Sequence, residues 1–351
     1  VGKKPETKTD RRGRDKSSAG AASRPKKKGA TAGKASREPG RPFVRKEEPP
    51  VRPPKKMSRI SRQLSQAGLH LKKGLGQNFL VSQPHLEKIA LSLEAGPKSL
   101  VLEIGCGLGN LTELIAREAG SILAIELDER FRPVHNEALA PLKNVAVVYG
   151  DFMDLDLRSI LTKETPDADI RLIGNIPYHL TSPILFKIIA SSVDFDCVCL
   201  LMQLEVAQRL AAPAGSRDFG ILAAKARTRF EIENVFTVPA GAFMPPPKVK
   251  SALVRLTPLA GGPLIAPGED QQAFFNFIDQ AFAQRRKVLG KSLNAGSRGA
   301  IDREKTEAVL ANMGLDANVR AEQLSVEQFI SLWRGLGSPV LPSIRKSYQE
   351  K

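Results

Sequence analysis

Two rhythms of apolar residues alternate along this chain. Ser99 to Ile104, Ile122 to Glu126, Val145 to Tyr149, Arg171 to Gly174 and Cys197 to Met202 are short, nearly continuous apolar runs of strand length. Between them apolar residues recur at helical spacing, as in Leu86, Ile89, Ala90 and Leu93, and helices are predicted near 84–93, 110–118, 130–140, 182–190 and from 203 through Leu210. Strand–helix alternation of this kind predicts an α/β fold with a parallel sheet covered on both faces. Phe230 to Val235 and Ser251 to Leu256 are richer in β-branched residues and add strands at one edge. Thr257 to Gly268, punctuated by Pro258, Gly261, Gly262, Pro263 and Pro267, is the natural domain boundary. Beyond it the pattern is helical. Phe274, Phe277, Ile278, Ala281 and Phe282 share a face, Gly290 is placed to stop that helix, and Ser325 with Gln328 forms a capping box for a last helix burying Phe329, Leu332 and Trp333.

Charge changes the picture at the amino terminus. The 351 residues carry 53 Lys and Arg against 37 Asp and Glu, a net of +16. Residues 1–56 hold 19 of the basic and 6 of the acidic residues, leaving 34 against 31 for the rest. That segment has one aromatic, Phe43, among many Pro, Gly, Lys and Arg, so it cannot bury enough apolar surface to offset ordering, and a disordered basic tail is predicted. Such a polycation attracts phosphate backbones without reading sequence. Met57, just ahead of the globular part, is an alternative start to Val1. Three cysteines (Cys106, Cys197, Cys199) argue against a disulfide framework and for a reducing compartment, and Cys197 and Cys199 read as buried strand residues rather than metal ligands. No segment reads as a spanning helix or secretory signal, so a cytoplasmic protein without membrane or metal is expected.

The chemistry concentrates at strand ends. Glu103-Ile104-Gly105-Cys106-Gly107-Leu108-Gly109 joins a strand to a helix, and its alternate glycines let the backbone approach a ligand closely. Glu126 ends the next strand, where a carboxylate binds the two hydroxyls of a ribose, and Asp151 ends the third, where it can accept from an adenine amine. In that order the three describe an S-adenosylmethionine site, with a dinucleotide enzyme as the competing reading. After the fourth strand comes Gly174-Asn175-Ile176-Pro177-Tyr178. The Asn175 side-chain oxygen and the Ile176 carbonyl can accept the two N–H groups of an exocyclic amine, Pro177 fixes the turn, and Tyr178 offers a π-face. Adenine fits such a pocket, although Asn-x-Pro-Tyr alone is also an ordinary turn. Arg285-Arg286-Lys287 and Lys291 offer phosphate clamps, or else a solvated helix end.

Taken together these residues resemble the ribosomal RNA adenine dimethyltransferase family, whose members modify adjacent adenines near the 3′ end of small-subunit (16S-type) rRNA. The resemblance is carried by Gly76 to Leu80, Glu103 to Thr112, Glu126-Leu127-Asp128, Gly150-Asp151, Asn175 to Tyr178, Phe243 to Val249 and Gln284 to Lys287, in family order over about residues 70–335. It implies a Rossmann-like class I S-adenosylmethionine-dependent methyltransferase sheet over 57–256 and a small helical RNA-binding domain over 257–351. It further implies that Asn78 and Leu80 close over the donor, that Gly105, Gly107, Gly109, Glu126 and Asp151 hold it, and that Asn175 lies where donor and base meet. Tyr178 and Phe243 would sandwich a flipped adenine, Lys248 would join the RNA contacts, and a monomer would act on an immature small subunit. Cys106 stands where the family usually has Pro, Leu204 where Lys is common, and His179 where Asn often follows the Tyr; the first is expected to soften the glycine loop. Two other functions fit the same scaffold: a macrolide-resistance-type enzyme acting on 23S rRNA, and a non-catalytic assembly or nucleic-acid-binding factor. A DNA adenine methyltransferase is a weaker third.

Overall fold

The computed structural model describes residues 77–161 and 168–343. The basic tail, the start choice at Met57 and Gly76 of the first motif therefore lie outside the described residues. Among the described residues there are nine strands: β1 (Phe79–Leu80), β2 (Ser99–Ile104), β3 (Ser121–Glu126), β4 (Val145–Tyr149), β5 (Asp169–Asn175), β6 (Cys197–Gln203), β7 (Phe230–Val238), β8 (Phe243–Met244) and β9 (Ser251–Pro258). Seven of them form one sheet in the order β4-β3-β2-β5-β6-β9-β7. The first five are parallel, whereas β9 runs antiparallel to β6 and β7 antiparallel to β9. The five strand runs of the sequence and the two β-branched segments at the edge all appear. The two-residue strands β1 and β8, which pair with one another, were too short to leave a periodic signal.

The sheet is buried on both faces, and the alternation along each strand shows it. Leu100, Leu102 and Ile104 of β2 enter one core while Val101 enters the other; Val198, Leu200 and Met202 of β6 divide in the same way from Cys197, Cys199 and Leu201. The cysteines are thus buried core residues, as expected, with their sulfurs 3.8 Å apart. At the outer edge β7 exposes Glu231, Glu233 and Asn234, charge and polarity that blunt an open strand.

The helical carboxy-terminal part differs from expectation in two details, the place of Gly290 and one additional helix. The segment 257–268 is a connection but not a gap in the core, because Phe274, Phe277, Phe329 and Trp333 share one buried cluster with Leu172 and Val198 of the sheet. Phe274 and Trp333 meet edge-to-face at 5.6 Å, and a buried Lys225–Asp279 ion pair of 2.9 Å ties helix Ile221–Ala226 to helix Glu269–Ala281. The described residues accordingly fall in a single compact unit. Gly290 does not end a helix; it sits in the first turn of Leu289–Gly296, where an added Cβ would lie 3.4 Å from the Arg303 side chain. Helix Arg303–Asn312 was not anticipated, although Asp302 caps it by accepting from Lys305 N at 2.8 Å. The capping box at Ser325 and Gln328 forms as read.

Candidate active site

Strand order reverses between β2 and β5, and in open α/β sheets that reversal leaves a crevice beyond the carboxyl ends of the strands. Ile104 and Gly174 are register partners there, so the glycine loop and Asn175 emerge side by side. Position 174 is crowded: a Cβ would lie 3.0 Å from Ile104 O and 3.1 Å from Ile104 Cβ, so a larger residue would have to push β2 aside. One cavity is lined by Asn78, Leu80, Gly105, Gly107, Glu126, Asp151, Asn175, Ile176, Pro177 and Tyr178. Two expected residues are not part of its lining. Gly109, at φ +79°, instead turns the chain into helix Asn110–Ile115 with Leu139 packed against it. Phe243, expected as the second wall of a base pocket, is 3% exposed in the core beside Leu80 and Leu253, because pairing of β8 with β1 turns its ring inward.

Glu126 holds the donor side of the cavity together. Its Oε2 accepts from Gly107 N at 2.8 Å and its Oε1 from Asp128 N at 2.9 Å. Burial raises its pKa, and these backbone bonds oppose the rise. Asp151 is both cavity wall and cap, its Oδ1 accepting from Met153 N at 2.8 Å. The turn after it is pinned by Lys187, whose Nζ donates to the carbonyls of Met153 and Leu155 at 2.6 Å each. Cys106 is buried with its sulfur 3.7 Å from His135 Nε2, and the loop carbonyl of Gly107 accepts from that nitrogen at 2.7 Å. A side-chain brace thus supports the loop that a cysteine in place of proline was expected to soften.

Glu103 was quoted in the glycine motif without a role. It lines the cavity and is 2% exposed, with Thr112 Oγ1 donating to it at 2.6 Å. Burial pushes its carboxyl up to about 7, the Thr112 bond opposes this, and the charge of Glu126 adds to it. A carboxyl raised on folding stabilises the fold fully below its unfolded value and loses that contribution as pH climbs through about 7. Glu103→Gln, which keeps the acceptor for Thr112, is therefore expected to unfold at higher urea than wild type at pH 8, by up to about 3 kcal/mol, and to match it at pH 4. Identical pH dependence in the two proteins would show that the buried carboxyl is not what titrates.

On the acceptor side, Asn175 Nδ2 donates to Asn78 O at 2.8 Å. Only the amide nitrogen can donate to a carbonyl, so the amide orientation is fixed and Oδ1 is the acceptor it presents to the cavity. Pro177, at φ −57°, opens the turn Tyr178–Leu180. The Tyr178 hydroxyl is anchored 2.6 Å from Ser251 Oγ at the start of β9, a partner with no signal in the sequence. Among the cationic residues expected at RNA, Lys248, Arg286, Lys287 and Lys291 are exposed. Arg285 is committed in part to the fold, donating to the carbonyls of Arg217 at 2.7 Å and Phe219 at 3.1 Å. Among the described residues no cluster of His, Cys, Asp and Glu suits a metal, and no helix is long and apolar enough to cross a membrane.

Comparison with known proteins accords with this geometry. A family model described as ribosomal RNA adenine dimethylase matches residues 68–336. Ribosomal RNA small subunit methyltransferase A proteins of Bacillus mycoides and Bacillus cereus are each 36% identical over 271 residues, covering 77% of this chain and 92% of theirs. A dimethyladenosine transferase structure from Plasmodium falciparum is similar at 25% identity and a TM-score of 0.63, over 74% of this chain and 98% of that one. The 23S rRNA methyltransferase ErmE is similar at 27% identity and a TM-score of 0.56, over 74% of this chain and all (100%) of that one. With the sheet order, the glycine loop and the Asn-x-Pro-Tyr turn all in place, this chain belongs to the ribosomal RNA adenine dimethylase family.

Proposed function

We propose that this protein transfers methyl groups from S-adenosylmethionine to N6 of two adjacent adenosines near the 3′ end of small-subunit rRNA, giving N6,N6-dimethyladenosine during small-subunit biogenesis in the cytoplasm. The observation that carries this reading is the fixed Asn175 amide, which presents an acceptor oxygen to a cavity shared with the glycine loop and Glu126. The small-subunit relatives at 36% identity favour small-subunit over 23S rRNA as substrate.

The cavity residues fit the donor. Among the described residues Gln77 Oε1 is buried there without a hydrogen-bond partner, and Glu103 and Glu126 are two buried carboxylates that form no ion pair. A ligand bearing an ammonium and a sulfonium relieves that excess of acceptors. Gly105, Gly107, Glu126 and Asp151 would hold it, with Asn78 and Leu80 closing above. S-adenosylmethionine, when bound, supplies a methyl group already electrophilic, so positioning is the chief task left to the protein. Asn175 Oδ1 and the Ile176 carbonyl accept the two N–H groups of the adenine amine and draw its nitrogen toward tetrahedral geometry. That frees a lone pair otherwise delocalised into the ring, an interaction worth more in the transition state than before it. Tyr178 supplies the stacking face that offsets unstacking of the flipped base, at about 1–3 kcal/mol. Lys248, Arg286, Lys287 and Lys291 attract the RNA backbone, Arg285 contributing with the part of its guanidinium not tied to the loop at 217–219.

The test is methylation by the full chain with isotopically labelled S-adenosylmethionine, offered immature small subunits or naked large-subunit RNA, followed by mass spectrometry of the nucleosides. Labelled N6,N6-dimethyladenosine at adjacent positions of the small-subunit RNA is expected. Label confined to the large-subunit RNA would transfer the protein to the macrolide-resistance class, and no label in either would make it a binding factor.

A further inference from the structure

Gly107, in the middle of the glycine loop, is held on both sides of its peptide. Its φ is +55°, and a Cβ would lie 2.9 Å from the Phe79 ring of the strand that covers the cavity. Its N–H is taken by Glu126 and its carbonyl by His135. His135, on helix Arg132–Ala138, is 2% exposed. Its other nitrogen, Nδ1, lies 2.7 Å from the hydroxyl of Tyr149, the last residue of β4 and the second before Asp151. A carbonyl can only accept, so Nε2 carries a proton, and in the neutral ring Nδ1 then accepts from Tyr149. Burial, with the charge of Arg132, favours that neutral form. Phe131 stacks with the ring at 6.2 Å and Tyr149 at 5.7 Å, and the Arg132 guanidinium lies 4.0 Å from the centre of the Tyr149 ring.

We infer that His135, as the Nε2–H tautomer fixed by its bond to the Gly107 carbonyl, is a positioning residue for the donor site: it clamps that carbonyl to the end of β4 and so sets the Gly107–Glu126 pair. The inference rests on reading this cavity as the S-adenosylmethionine site. Its physical content is that one side chain joins the glycine loop after β2 to the end of β4, while Gly107 N joins the same loop to Glu126 at the end of β3. The glycine loop follows β2, Glu126 ends β3, and Tyr149 ends β4 immediately before Gly150-Asp151; Gly150 N in turn donates to Glu126 O at 2.9 Å. Removing the clamp leaves a buried carbonyl unpaired at the point where the loop must keep its shape. A histidine that merely fills the core would leave donor affinity alone.

Two amide replacements separate the possibilities. Gln places its amide near the position of Nε2 and can still donate to Gly107 O, whereas Asn reaches only the position of Nδ1. Calorimetric titration of the full chain with S-adenosylmethionine is expected to give a Kd raised about tenfold or more in His135→Asn and within about threefold of wild type in His135→Gln, with kcat at saturating donor and KM for RNA unchanged in both. In the wild type, imidazole 15N spectra are expected to show the Nε2–H tautomer and a displacement of that signal on adding donor. Wild-type Kd in His135→Asn accompanied only by a lower melting temperature overturns the inference, as does an Nδ1–H or cationic ring, or an Nε2 signal indifferent to donor. The spectra decide alone should His135→Asn fail to fold. Failure of the wild type itself to bind S-adenosylmethionine would overturn the donor-site reading and this inference with it, a result distinct from binding that ignores His135.

Discussion

Asn175→Ala is expected to lower kcat for methyl transfer by about 10²–10³ while Kd for S-adenosylmethionine stays within about threefold. The size follows from what the side chain does. Its Oδ1 is a preorganised acceptor aimed at the cavity, and its orientation is fixed by the bond from Nδ2 to Asn78 O. In the proposed mechanism such an acceptor acts on the reacting amine only as the lone pair develops, so its loss falls on the transition state rather than on either ground state. The Asn78 bond is lost as well, which loosens the covering strand, and the donor Kd measures that second effect separately. Transfer by the alanine variant at a rate close to wild type would remove Asn175 from the chemistry.

The second large effect belongs to Glu126. Glu126→Ala is expected to weaken S-adenosylmethionine binding by about 100-fold or more, because it removes the proposed ribose acceptor and leaves the N–H groups of Gly107 and Asp128 unpaired where each costs about 1–3 kcal/mol. The same variant is expected to melt at a lower temperature, since both bonds exist without donor. Glu126→Gln sharpens the test: it keeps the volume, yet turns an amide NH2 toward one of the two backbone donors. A loss of affinity intermediate between wild type and alanine is expected by calorimetry. Alanine and wild type binding donor equally would place the ribose elsewhere.

Much of this site could be read from the chain because its groups sit at strand ends, and strand ends are marked by composition. Glu126 and Asp151 each follow an apolar run and precede a turn, and Gly174 with Asn175 closes another; the five parallel strands fall where those runs lie. Phe243 shows the limit of motif reading. Its neighbours Pro245, Pro246 and Pro247 mark a loop, and only the pairing of β8 with β1 revealed that the ring faces the core. Arg285 is a similar case, a surface cation by sequence that the loop at 217–219 holds by its carbonyls.

His135, Tyr149, Ser251 and Lys187 are different in kind. Nothing in their sequence neighbourhoods distinguishes them, since a histidine in a short helix or a lysine in an apolar one has many roles. The amino-acid order determined the parallel sheet, the glycine loop and the two acidic strand ends, because periodicity and turn chemistry are local properties that each segment carries with it. Tertiary structure alone decided which way Phe243 faces, which carbonyls His135 and Lys187 hold, and how Asn175 is oriented, because each depends on a partner from a distant segment brought within hydrogen-bonding or packing distance only when the sheet and its covering strand assemble.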